Sequence, residues 1–198
     1  HSRFYENIIG RSKAFMPTLQ KDAAETLDPE ITKMSSEDFY HLMNQIQPWL
    51  IRCEADELSY CLHIIIRYEI EKDLINGKID CKDVPAIWKQ KYHDYLGVEV
   101  TDDKDGCMQD THWSEALWGY FPSYALGNLY GAMIKEKMEE TMNLDELIAT
   151  GHIEKIVEWM RDNDICYDYL KPGDWIKKVT GKDITAEPYI RYLKEKFA

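Results

Sequence analysis

An all-α fold is what this sequence predicts, and three observations point to it. Apolar residues recur at helical spacing along most of the 198 residues. Capping and stopping residues bracket those stretches. Strand-like character is confined to one short piece, Trp49 to Arg52, so at most a minor strand element is expected.

Taken in order, Phe4, Ile8 and Ile9, then Phe15, Leu19 and Ala23, predict a short helix followed by another, with a break near Met16-Pro17. Ser35 and Asp38 stand in capping-box relation ahead of Phe39, Leu42, Met43 and Ile46, which predicts a short helix. Pro48 to Arg52 reads as extended, because a proline precedes a partly β-branched run too short for a helix. The longest helical pattern runs from Glu54 to about Asn76 and closes at Asn76-Gly77. Leu58, Cys61, Leu62 and Ile65 are its expected apolar face. Asp56, Tyr60, His63 and Arg67 recur at steps of four, three and four on another stripe. That stripe either lines a cleft or is a solvated face carrying local ion pairs.

Asp83 with Pro85 opens the next helix, whose buried side is Ile87, Trp88, Tyr92 and Tyr95-Leu96, and Gly97 stops it. Val98 to Asp105 is an acidic connector, and a further helix starts near Phe121-Pro122. Tyr120, Tyr124, Gly127 and Gly131 fall on one face of it, and the Gly127–Gly131 spacing suits close helix packing. Asn143 to Glu146 forms a capping box, and Ile153, Ile156, Val157 and Met160 are the inner face of a helix from His152 to Arg161. After the turn at Lys171-Pro172-Gly173-Asp174, Trp175, Ile176 and Val179 make a short helix ending at Gly181. Thr185 caps the last one, with Tyr189, Ile190, Leu193 and Phe197.

Hydrophobic residues make up 44% and charged residues 30%, an ordinary globular balance for one domain over residues 1–198. Such a chain buries roughly 70% of its unfolded surface and needs no metal or disulfide to fold. The formal charge of −12, without any Lys/Arg-rich run, argues against nucleic acid and anionic membranes as partners. No apolar run approaches the ~20 residues of a membrane span. The five cysteines are scattered without a C-x-x-C pair, as reduced thiols of a cytoplasmic protein would be. The chain opens on His1 rather than Met, as a segment of a longer protein does.

Chemistry is concentrated in Gly106 to Trp113 and Trp118 to Asn128, where an amide, a carboxylate, an imidazole, indoles and phenols crowd together. A carboxylate beside an imidazole can fix a tautomer, and phenols can donate to an oxyanion. The competing reading has Asp110 and His112 capping a helix while the aromatics fill a core. H-E-x-x-H, G-x-S-x-G, G-x-G-x-x-G and the P-loop are all absent, so this chain encodes no self-contained zinc-protease, serine-hydrolase or nucleotide site of those types. A Cys107–His112 dyad has nothing to orient it.

Two motifs carry a resemblance. Ile51-Arg52-Cys53-Glu54-Ala55-Asp56 is similar to I-R-x-x-A-D, and Gly106 to Trp113 is similar to G-x-x-Q-D-x-H-W, both of the Taq-type family of zinc metallocarboxypeptidases. The similarity extends to Ser2-Arg3-Phe4-Tyr5-Glu6-Asn7 and to Gly119-Tyr120-Phe121-Pro122-Ser123-Tyr124, and is weakest in the acidic connector and after Lys171. In the family, H-E-x-x-H lies upstream, and H-E-S-Q, whose Glu is the third zinc ligand, immediately precedes the residues matching Ser2-Arg3-Phe4. His1 stands where the final Gln of that motif would be. The resemblance therefore implies the C-terminal half of a helical enzyme, with all metal ligands outside this chain and no metal expected on it.

In the complete enzyme the resemblance implies zinc, or another divalent metal, activating water to cut peptides one residue from a free C-terminal carboxylate. For this half it implies Arg52 gripping that carboxylate, for which a guanidinium fork is suited; a salt bridge to Glu54 or Asp56 is the structural alternative. His112 would donate to the oxyanion or to substrate, oriented by Asp110, and Tyr120 or Tyr124 would be a second donor. Gln109 would position substrate or satisfy buried backbone groups, and with Asp110, His63 and Arg67 it completes the expected substrate-binding set. The isolated chain is expected to be inactive, its missing N-terminal half a partner, and its exposed apolar face able to drive homodimer formation. A non-catalytic helical interaction module is the alternative reading.

Overall fold

The computed structural model describes residues 1–198. Nine α-helices form: α1 (Met16–Thr26), α2 (Ser36–Met43), α3 (Tyr60–Ile75), α4 (Val84–Leu96), α5 (Pro122–Glu139), α6 (Leu144–Ala149), α7 (Ile153–Asn163), α8 (Pro172–Thr180) and α9 (Glu187–Phe197). A π-helical turn at Phe4–Ile9 precedes them, and short 3₁₀ turns include Arg52–Glu54 and Cys81–Asp83. The class is all-α, and no strand is present. Ile51 is extended, but Arg52 already enters a 3₁₀ turn, so the expected strand element is replaced by one residue of extended chain.

The chain divides into two compact units, residues 1–44 with 127–198, and residues 45–126. No composition shift marks these boundaries in the sequence, and α5 runs through one of them.

In the first unit, Phe4, Ile8 and Ile9 bury against Met133, Ile134 and Met138 of α5, and Ile156, Met160 and Ile176 join the same core. Each such side chain contributes about 1.5–3 kcal/mol of burial. A Cβ on Gly131 would stand 3.4 Å from Ile8 Cδ1, so the small residue lets α5 approach the N-terminal turn, as the glycine spacing suggested. Ser35 Oγ accepts from Asp38 N at 3.0 Å, the expected cap of α2. Only Phe39 of that helix is buried; Leu42, Met43 and Ile46, expected inside, are exposed, as are Val157 and Ile190. Short helices at the surface bury one or two turns' worth of side chain, less than their apolar pattern allows.

In the second unit, Ile66 and Ile70 of α3 pack on Val84, Trp88, Tyr92 and Leu96 of α4. Gly97, at φ 67°, ends α4 in the left-handed position. A smaller cluster sets Tyr60 and Ile64 against Phe121, with Trp113 alongside. Helix α3 starts at Tyr60 rather than Glu54, and in the turn just before it Asp56 Oδ1 accepts from Ser59 N at 2.8 Å. Its expected apolar face is only partly inside, with Leu62 packed on the core of this unit. Leu58 and Ile65 are 38% and 40% exposed, whereas Tyr60, His63 and Arg67 are buried. Two neighbours, α4 on one side and the segment around Trp113 and Phe121 on the other, cover it, so the polar stripe lies inside the unit and not on a solvated face.

Candidate active site

Every residue of the expected site falls in the second unit. The 3₁₀ turn at Arg52–Glu54 presents Arg52, α3 presents His63 and Arg67, the loop after the acidic connector presents Gln109, Asp110, His112 and Tyr120, and the first turn of α5 presents Tyr124.

Asp110 is the hub. Its Oδ1 accepts from Arg52 Nε at 3.1 Å and Nη2 at 2.6 Å, and its Oδ2 accepts from Arg67 Nε at 2.7 Å. Gln109 Oε1 accepts from Arg52 N and Arg67 Nη2, both at 2.8 Å, while its Nε2 donates to the Leu50 and Asp105 carbonyls. Gln109 thus ties the connector to the turn carrying Arg52. Arg67 Nη1 donates to the His63 carbonyl at 2.8 Å and to the Tyr92 hydroxyl at 3.3 Å. The ring centres of Trp88 and Phe121 lie 4.6 and 5.5 Å from the carbon of this guanidinium.

Arg52 is only 7% exposed. Besides Asp110 it donates from Nη1 to the Tyr60 hydroxyl at 3.2 Å, and its guanidinium lies 4.7 Å from the Tyr124 ring centre. Counting donors, one N–H on Nη1 and one on Nη2 remain unspent. Neither Glu54 nor Asp56 pairs with it: Asp56 accepts from Ser59 N at 2.8 Å and from Gln47 N at 3.1 Å.

Two arginines against one carboxylate leave one positive charge in excess. Burial alone would raise the Asp110 carboxyl, but the hydrogen bonds and charges of Arg52 and Arg67 prevail and hold it below its ordinary value. Burial likewise works against Arg52, and Asp110 outweighs it, so the guanidinium pKa is raised.

His63 is 0% exposed. Tyr92 Oη accepts from Arg67 and Gln109, so its own proton goes to His63 Nδ1 at 3.0 Å. The imidazole proton therefore sits on Nε2, which has no partner. Burial first, then the Arg67 charge, push this imidazole down to about 3, so it is neutral near pH 7. His63 and Arg67 were expected to touch substrate; the fold closes both off beneath the network, where α3 packs on α4.

His112 Nε2 lies 2.8 Å from the Tyr124 hydroxyl, and its ring is tilted against Phe121 and Tyr120 at centroid distances of 4.4 and 5.7 Å. Asp110 does not orient it: Oδ1 stands 3.9 Å from His112 Nδ1, beyond hydrogen-bond reach, because both carboxylate oxygens serve the arginines. Tyr124 performs that orientation instead. Tyr120 is exposed beside it.

Two contributors escaped the sequence reading. Tyr92 was assigned only to the core of α4. Glu71 sits four residues beyond Arg67, on the same stripe of α3, and is buried under Trp113. The periodicity that singled out Asp56 to Arg67 reaches it with one more step.

The chain matches, over residues 1–197, the family model described as Carboxypeptidase Taq (M32) metallopeptidase. It belongs to that family. Its M32 relatives include Carboxypeptidase 1 of Bacillus subtilis, 42% identical over 100% of this chain and 40% of the relative. Thermostable carboxypeptidase 1 of Thermus thermophilus is 40% identical over 100% of this chain and 39% of its own length. Among solved M32 structures, Trypanosoma cruzi metallocarboxypeptidase 1 superposes with a TM-score of 0.93 at 35% identity, covering 99% of this chain and 41% of the other. The chain thus spans about 40% of the length of the curated relatives it matches.

M32 proteins are metallopeptidases by description, so the residues present must be tested as ligands. In the second unit they do not fit: Asp110 is committed to two arginines, His112 Nε2 to Tyr124, and His63 is sealed. In the first unit, His1, Asp164 and Asp168 place one ligand atom each within 4.8 Å of one another. The Asp164 oxygens are already used there by His1 Nε2 and Trp175 Nε1, both at 2.9 Å, so the one buried member of the group, Asp164, is hydrogen-bonded to protein while His1 and Asp168 are exposed. No helix of the chain is long and apolar enough to cross a membrane.

Proposed function

We propose that this chain is the C-terminal portion of a zinc carboxypeptidase and supplies its substrate-carboxylate and oxyanion contacts. The observation that carries the reading is the excess positive charge of Arg52, Arg67 and Asp110, in hydrogen-bond contact with Tyr60 and ring contact with Tyr124, the partner of His112. A peptide's terminal carboxylate neutralises that excess. Arg52 takes it with its two unspent N–H groups, a bidentate grip that an internal peptide bond cannot accept.

Arg67, Gln109 and Tyr92 hold Asp110 and the Arg52 backbone, so the guanidinium is set before substrate arrives and little ordering is left to be done on binding. The pair of His112 and Tyr124 presents a proton to the oxygen that becomes negative as the peptide carbonyl is attacked, with Tyr120 at the open side. The metal and the water it activates are held by residues outside this segment, which is why the isolated chain is inactive.

A metal determination together with a peptide-release assay tests this. The intact enzyme binds zinc and trims C-terminal residues, and the isolated segment does neither. Stoichiometric tight zinc and trimming by the segment alone would overturn the division of labour. A natural sequence lacking H-E-x-x-H upstream would leave a non-catalytic helical module.

A further inference from the structure

The segment from Thr111 to Gly119 carries His112 near its start and delivers Tyr120 at its end. Its backbone closes one helical turn: Leu117 N donates to the His112 carbonyl at 2.8 Å and Ala116 N to the Trp113 carbonyl at 3.2 Å. This paired pattern ends a helix and asks for a left-handed residue, which here is Ala116 at φ 59°. A side chain resists that conformation, and the turn is largely exposed, so something outside it must hold its shape.

Glu71 is placed to do so. Its Oε2 accepts from Trp113 Nε1 at 3.0 Å, and its Oε1 accepts from the backbone N–H of Gly119. The residue is 6% exposed. No lysine or arginine pairs with it, so its desolvation is offset by these two N–H donors, one at each end of the same loop. The Trp113 ring is packed independently against Trp88, Trp118 and Phe121, so aromatic burial by itself does not call for a carboxylate there.

We infer that Glu71 is a positioning residue, clamping the Trp113-to-Gly119 loop so that His112 meets Tyr124. This rests on the proposal above that His112 acts on substrate. The clamp works through geometry: Trp113 follows His112 directly and Gly119 precedes Tyr120 directly, so fixing both fixes the two side chains that bracket the opening.

Glu71→Gln and Trp113→Phe in the intact enzyme test it. The glutamine amide has one acceptor oxygen, so one of the two N–H groups loses its partner; phenylalanine keeps an aromatic ring at the site and removes the indole N–H together with part of the bicyclic ring. In Glu71→Gln we expect faster Gly119 amide exchange. In both variants we expect altered His112 imidazole nitrogen shifts and a kcat lowered about tenfold with KM little changed. Unchanged His112 shifts with wild-type kcat in the folded variants, or a loss confined to KM, overturns the inference. If Glu71→Gln does not fold, Trp113→Phe decides alone. If the wild-type enzyme releases no C-terminal residues, the function proposal has failed, and the exchange and shift measurements still decide whether Glu71 sets His112.

Discussion

Arg67 and Asp110 form an ion pair, with Nε 2.7 Å from Oδ2, the arginine side chain at 0% exposure and the carboxylate at 9%. The pair joins α3 to the end of the connector across 43 residues of chain. Arg67 also supplies donors to Gln109, Tyr92 and the His63 carbonyl, so four of its five N–H groups are spent on holding the unit together.

Removing that arginine should be costly. Arg67→Met keeps the bulk but strips Asp110, Gln109 and Tyr92 of a donor together, and we expect a loss of ~3–5 kcal/mol in unfolding free energy. Urea denaturation measures it, and a change under ~1 kcal/mol would show that the network adjusts without Arg67.

Arg52→Ala addresses recognition. In the intact enzyme it should raise KM for free-acid peptides by about 10- to 150-fold, the worth of a hydrogen-bonded charge, with a smaller effect on kcat. Peptide amides used as competitive inhibitors should bind wild type and variant alike. Equal weakening of acids and amides would point to a purely structural arginine.

His112→Ala removes the proposed oxyanion donor and should lower kcat by about 10²–10³. Tyr124→Phe, which loses the 2.8 Å partner of His112, should fall in the same direction, whereas the exposed Tyr120→Phe should fall less. Steady-state kinetics on the three variants decides, and a larger loss from Tyr120→Phe would reverse the assignment of the two phenols.

His63 links stability to pH. Its folded value of about 3 lies below the 6.5 of the unfolded chain, so between those values the unfolded state takes up a proton that the folded state refuses. Its effect is nil above pH 6.5 and stability falls as pH drops, by about 2 kcal/mol at pH 5 relative to pH 7. His1, raised chiefly by its hydrogen bond to Asp164, acts oppositely: its stabilisation is present below 6.5 and lost as pH rises through its folded value. Comparing wild type with His63→Phe at both pH values isolates the His63 share, and identical slopes would refute it.

Ala116→Gly should stabilise. An alanine at φ 59° carries about 1–2 kcal/mol of strain, of which the greater freedom of glycine in the unfolded chain takes back about 0.5–1 kcal/mol. A small rise in Tm is expected in thermal unfolding, and a fall would mean that the Ala116 methyl makes contacts worth more than the strain.

Local chemistry in the sequence was sufficient for the all-α class, the Ser35 cap, the Gly97 stop, the proline start of α5 and the close approach at Gly131, because each depends on residues within a few positions of one another. The motif resemblance placed Arg52, Gln109, Asp110 and His112 in one family pattern for the same reason. What three-dimensional packing decided was which face of α3 turns inward, that the expected strand near Arg52 is a 3₁₀ turn, and that Asp110 serves two arginines rather than His112. The last outcome rests on arginines 43 and 58 residues away taking the carboxylate oxygens that the neighbouring His112 was expected to use, and spacing along the chain holds no information about which group wins.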